Sequence, residues 1–188
     1  MSTHRTICDF LVDLYQNAVE SGADTVRVTL DNEGGLFRLT VGDNGCGMDD
    51  TTLAKAQDPF WSDGVKHPHR KVGLGLPFVI QTVTMTQGSF RIESSNQPPH
   101  GTEVEVGFNR QHWDTPPLGD LAGCLSQLMA WEGNHEVVLN LYGQEATRSE
   151  LREALGSFED PEARQLLAQY FTDLETTAME ANAMEAKE

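Results

Sequence analysis

Asp13 and Asn17 stand four residues apart in a run whose apolar positions, Ile7, Phe10, Leu11, Leu14, Ala18 and Val19, fall at helical spacing. On a helix that offset puts a carboxylate and an amide oxygen on one face. Hard oxygen donors of this kind suit Mg²⁺ and an ordered water. Further on, Asp43-Asn44-Gly45-Cys46-Gly47-Met48 follows a strand-like run and precedes a helix start at Asp49. Glycines between a strand and a helix let backbone come close to a ligand, because no Cβ stands in the way. A third group, Gly73-Leu74-Gly75, opens another helical stretch just after Arg70 and Lys71. A helix start, with free amides and the positive end of the dipole, suits phosphate. Taken singly, each has a plainer reading: the DNGCGM stretch as an ordinary turn, Asn17 as a solvated or capping residue.

The elements that must position these residues follow from periodicity. The first apolar stripe predicts a helix over 7–20, stopped by Gly22. TVRVTLD (25–31) and LFRLTVG (36–42) alternate apolar and polar across the turn NEGG, which predicts a hairpin. Asp49 or Asp50 caps a short helix through Ala56, and a long aperiodic loop follows it. Residues 74–88 have helical period with Pro77 near the first turn, and SFRIESS (89–95) and GTEVEVGFN (101–109) alternate across NQPPHG. The expected class is α+β, a two-layer α/β sandwich with helices on one face of an antiparallel-rich sheet.

After His112 the texture changes. WDTPPLGD reads as a linker into a helix over 118–131, followed by a strand in EVVLNLYG (136–143). Thr147 and Glu150 form a capping box for a helix to Leu155, and Asp160-Pro161 starts a last helix to about Leu174. The expected domains are one over 1–112 that holds all three of these groups, a small α/β extension over 113–175 and a disordered acidic tail over 176–188.

Charge narrows the partners. The 29 acidic side chains outnumber the 13 basic ones, for a net charge of −16, and no stretch clusters Lys and Arg with aromatics. Nucleic acid and anionic membrane are excluded as expected partners. Cys8, Cys46 and Cys124 are far apart without a CxxC pair, which reads as reduced thiols in a cytoplasmic protein. No apolar signal core opens the chain, and no apolar run approaches the roughly 20 residues that span a bilayer. Cys46 reads as a small, partly buried thiol or a redox sensor, and His67 and His69 as solvated loop residues or as metal or phosphoryl acceptors. Trp61 stacks on a ligand or anchors its loop.

DLYQNAVESGA (13–23), DNGCGM (43–48), DPFW (58–61), KVGLGLPFV (71–79) and GTEVEV (101–106) occur in the order of the N, G1, F, G2 and G3 boxes. In these pieces the chain resembles the GHKL superfamily, which joins gyrase, the ninety-kilodalton heat-shock chaperones, histidine kinases and MutL-type mismatch-repair ATPases on the Bergerat ATP-binding fold. The resemblance implies Asn17 as Mg²⁺ ligand and Asp43 as acceptor from the adenine amino group, with Gly45 and Gly47 as clearance for the purine. It implies Thr102 as support for Asp43 and an adenine-bound water, Gly73 and Gly75 as a phosphate cradle, Lys71 as phosphate counter-charge, and residues 60–72 as an ATP lid. Asp13 takes the place where gyrase-like ATPases carry a glutamate general base and many histidine kinases an amide. Aspartate is one methylene shorter, so hydrolysis is expected to be slow or absent.

PPLGD (116–120) and TRSELREAL (147–155) are similar to the extension of small stand-alone bacterial histidine-kinase-like ATP-binding proteins. The function so implied is a cytoplasmic, ATP- and Mg²⁺-dependent regulator in signal transduction. It acts as a kinase on a partner protein, as a nucleotide-gated binding module with little turnover, or as a weak ATPase switch. Only 12 residues precede Asp13, too few for a helical hairpin bearing an acceptor histidine, so transfer is expected to reach another chain or a histidine of this one. A dimeric switch of the MutL or gyrase kind uses a lysine from a following domain, and residues 113–188 hold only Lys187.

Overall fold

The computed structural model describes residues 5–33, 35–58 and 75–185. Helix α1 (Ile7–Glu20) starts on a complete capping box, Thr6 with Asp9, and buries the stripe Ile7, Phe10, Leu11, Leu14 and Ala18. Strands β1 (Thr25–Glu33) and β2 (Leu36–Asp43) pair antiparallel, then α2 (Asp50–Ala56) begins on the N-cap Asp49. Helix α3 (Gly75–Met85) leads into the antiparallel pair β3 (Ser89–Ser95) and β4 (Gly101–Phe108), and β4 also pairs with β2. The extension supplies α4 (Leu121–Met129), β5 (Glu136–Leu141), β6 (Gln144–Thr147), α5 (Arg148–Leu155) and α6 (Pro161–Glu185).

All six strands form one mixed sheet in the order β3-β4-β2-β1-β5-β6, with β5 parallel to β1 and the other neighbours antiparallel. Alternation decides the two faces. Val26, Val28, Leu30, Leu39, Val41, Val104, Val106, Val137 and Leu139 are buried, and α1, α3 and α6 pack on strands of the sheet. The other face carries polar residues, with Arg38 paired to Glu105 and Arg27 4.0 Å from Glu145. The result is the expected two-layer α+β sandwich.

Two details depart from the sequence expectation. The run 136–147 is a hairpin and not a single strand: Tyr142 and Gly143 both have positive φ, which matches the twist of a tight hairpin turn, and QEAT returns as β6 with Ala146 buried. The last helix continues to Glu185 beyond the expected stop near Leu174. Its stripe Ala163, Leu167, Phe171 and Leu174 is buried and nucleates the helix, and the Ala, Met and Glu that follow are strong helix formers that propagate it.

Candidate functional site

The ends of four strands line up at one edge of the sheet. Val26, Asp43, Thr102 and Ser94 stand opposite one another in register, so Asp43 closes β2 beside two hydroxyl residues. Asp43 Oδ1 accepts from Gly45 N at 2.8 Å and from Ser21 Oγ at 3.1 Å. Burial raises the Asp43 pKa against the opposing effect of hydrogen bonds from Gly45, Ser21 and Thr102. The partners that hold this carboxylate are therefore neutral donors.

The loop after Asp43 is tied down on both sides. Asn44 Oδ1 accepts from Asp24 N at 3.0 Å and Thr25 N at 2.9 Å, and Cys46 N donates to Ser21 O at 3.1 Å. On the other side Met48 N donates to Ser94 Oγ at 2.8 Å, Ser94 Oγ bonds Thr102 Oγ1 at 2.8 Å, and His100 Nδ1 lies 2.6 Å from Gly45 O. The glycines have a local reason here. A Cβ at Gly45 would lie 1.7 Å from Ser21 Oγ, and one at Gly47, whose φ is +61°, would lie 1.9 Å from Ser95 O. The close approach they allow within the chain is to Ser21 and to the Ser95 carbonyl. Cys46 is exposed, not partly buried.

Asp13 and Asn17 share one face of α1, and α3 begins against that face. A Cβ at Gly75 would lie 3.5 Å from Asp13 Cβ and 3.9 Å from Asn17 Nδ2. The first turn of α3, with its unsatisfied amides, thus stands beside a carboxylate and an exposed amide. Asp13 is already engaged: its Oδ2 accepts from Arg5 Nη1 at 3.0 Å. The Arg5 guanidinium also sits 5.1 Å from the Phe78 ring centre and 5.7 Å from that of Phe10.

The structure therefore brings Asp13, Asn17 and Gly75 together at one place, and Asp43, Gly45, Gly47 and Thr102 at the adjoining strand ends. Lys71, Gly73, residues 60–72, Trp61, His67 and His69 lie outside the described residues. Sequence reasoning missed Arg5, Ser21, Ser94 and His100. Arg5 lies outside every motif, eight residues before its partner; Ser21 caps the end of α1, Ser94 lies in β3 and His100 in the NQPPHG turn, and no local pattern tells that these side chains meet the loop around Asp43. Among the described residues, no group of three or more His, Cys, Asp and Glu could hold a metal ion, and no helix is long and apolar enough to cross a membrane.

Comparison with known families matches residues 4–112 to the family described as histidine kinase-, DNA gyrase B-, and HSP90-like ATPase. Comparison with curated proteins finds no match. Among solved structures, full-length ShkA in complex with AMPPNP is similar at 22% identity and TM-score 0.43, covering 57% of this chain and 21% of that one. The mycobacterial sensor histidine kinase MprB is similar at 21% identity and TM-score 0.41, covering 57% of this chain and 68% of its own. The N-terminal domain of a DNA repair protein is similar at 10% identity and TM-score 0.49, covering 76% of this chain and 51% of that one. This chain spans about a fifth of ShkA.

Proposed function

The chain belongs to the histidine kinase-, DNA gyrase B- and HSP90-like ATPase family, and from that premise we propose that it binds Mg-ATP and regulates a partner protein by passing the γ-phosphoryl group to it. Asp43 is the observation that carries the nucleotide reading. A carboxylate half-buried at a strand end and held by neutral donors is an acceptor waiting for a donor of its own. The exocyclic amino group of adenine is such a donor, and Thr102, hydrogen-bonded to Ser94, supports the same edge.

The phosphates then fall toward α1 and the start of α3. Asn17 offers an exposed amide oxygen and Asp13 a carboxylate, a donor set that fits a hard divalent cation beside Gly75. Bound there, Mg²⁺ would draw charge from the phosphate oxygens. Gly75, with Gly73 and Lys71, serves the phosphates in this reading. Asp13 orients the attacking group, a partner's side chain or a water.

The Arg5–Asp13 ion pair favours a second reading, a nucleotide-gated binding module with little turnover. A carboxylate held by a guanidinium is less available to orient a water or accept its proton. Incubation with labelled ATP and a lysate of the source organism separates the two. Kinase action puts label on a second protein and loses it with Asn17→Ala. A module binds ATP tightly with neither transfer nor phosphate release. Phosphate release that rises with protein concentration supports the dimeric switch instead.

A further inference from the structure

Tyr15 lies two positions from both Asp13 and Asn17, so at 3.6 residues per turn its side chain leaves α1 on the opposite side. It is fully buried, and its hydroxyl lies 2.7 Å from His135 Nε2 and 3.1 Å from Leu128 O, both in the extension. The ring meets Trp131 edge-on at 5.5 Å between centres. Behind it Arg148, 2% exposed, reaches three carbonyls of the same loop: His135 O at 2.9 Å, Gly133 O at 3.2 Å and Trp131 O. The start of α1 is held from the extension too, because Ile7 N donates to Pro117 O at 2.9 Å and Cys8 N to Leu118 O at 3.0 Å. None of these groups takes part in the chemistry proposed above.

We infer that Tyr15 is a positioning residue for the α1 face bearing Asp13 and Asn17, and that residues 117–148 are the mount that sets the rotation of that helix. The inference rests on reading that face as the nucleotide site. A side-chain atom about 5–6 Å from a helix axis moves about 1 Å when the helix turns by about 10°. A displacement of that size is enough to spoil ligand geometry. One long side chain, pinned at its far end by His135 and held in a loop fixed by Arg148, resists such a turn.

Isothermal titration of Mg-ATP into the full chain, well below melting, tests this, with melting temperatures measured in parallel. Tyr15→Phe and His135→Phe should each raise Kd by about 2- to 30-fold, and the double variant should lose no more than either single. His135→Gln, whose amide can still meet the Tyr15 hydroxyl, should restore most of the affinity. Should Tyr15→Phe fail to fold, the two His135 variants carry the same test. A folded variant with lowered melting temperature and unchanged Kd overturns the inference, as do additive losses in the double variant. Wild-type protein that does not bind Mg-ATP defeats the nucleotide reading itself, whereas wild type that binds no better than its variants defeats only this inference.

Discussion

Two side chains at the site carry opposite consequences. Burial holds the Asp43 pKa above that of the unfolded chain, so between the two values the native state binds the proton more tightly and stability falls as pH rises. At neutral pH the ionised carboxylate is a cost to the nucleotide-free protein, relieved as the pH drops into the ordinary carboxylate range. Asp43→Asn keeps an oxygen for Ser21 and Gly45 and removes the charge. It should melt at or above wild type at pH 7, the difference narrowing in acid, as followed by thermal denaturation across pH. A variant clearly less stable than wild type at pH 7 contradicts that role. Arg5 holds Asp13, the residue that the proposed function gives the task of orienting the attacking group. A partly exposed ion pair is worth up to about 1 kcal/mol, so Arg5→Ala should raise phosphate release by about 2- to 5-fold. A fall in Mg-ATP affinity with no gain in release contradicts it.

At the level of elements, the loop between β2 and α2 is a folded unit in its own right. Its glycines make room for Ser21 and for the Ser95 carbonyl, so Gly47→Ala meets backbone at 1.9 Å in addition to the strain of a positive φ. It should lower stability by about 2–4 kcal/mol in denaturant titration. Gly22→Ala, at φ +79° with nothing within 4 Å, carries strain alone and should cost about 1–2 kcal/mol. Equal losses would contradict the packing account. Most elements were legible in the sequence because their signals are local: α1 by its stripe, α2 by Asp49, α5 by Thr147 and Glu150. β6 was not, since four residues with Ala146 as their single apolar member have no alternation to read. The reason for Gly45 was hidden for a related cause, because Ser21 is brought to it by a turn.

For the whole molecule, the placement of the extension mattered more than its content. Residues 113–175 read as an appendage because composition and charge change at His112, yet β5 continues the sheet beside β1 and α4 joins the same core as α1. Parallel pairing across more than a hundred residues leaves no trace in periodicity, and the buried links Tyr15–His135 and Cys124–Cys8 are equally distant in sequence. One core implies one transition: calorimetry should find a single unfolding step with equal calorimetric and van't Hoff enthalpies. Two resolved transitions, or a stably folded fragment 1–112, would show two independent domains.

The central claim is that this edge of the sheet and the α1 face together hold Mg-ATP, and melting the full chain with and without millimolar Mg-ATP tests it most directly. At a ligand concentration near 100 times Kd the linkage is worth about 2.7 kcal/mol, a rise of about 5–10 °C for a chain of this size. The account predicts that rise for wild type and its loss in both Asn17→Ala and Asp43→Asn. An unchanged wild-type melt, or an equal rise in all three proteins, would contradict it.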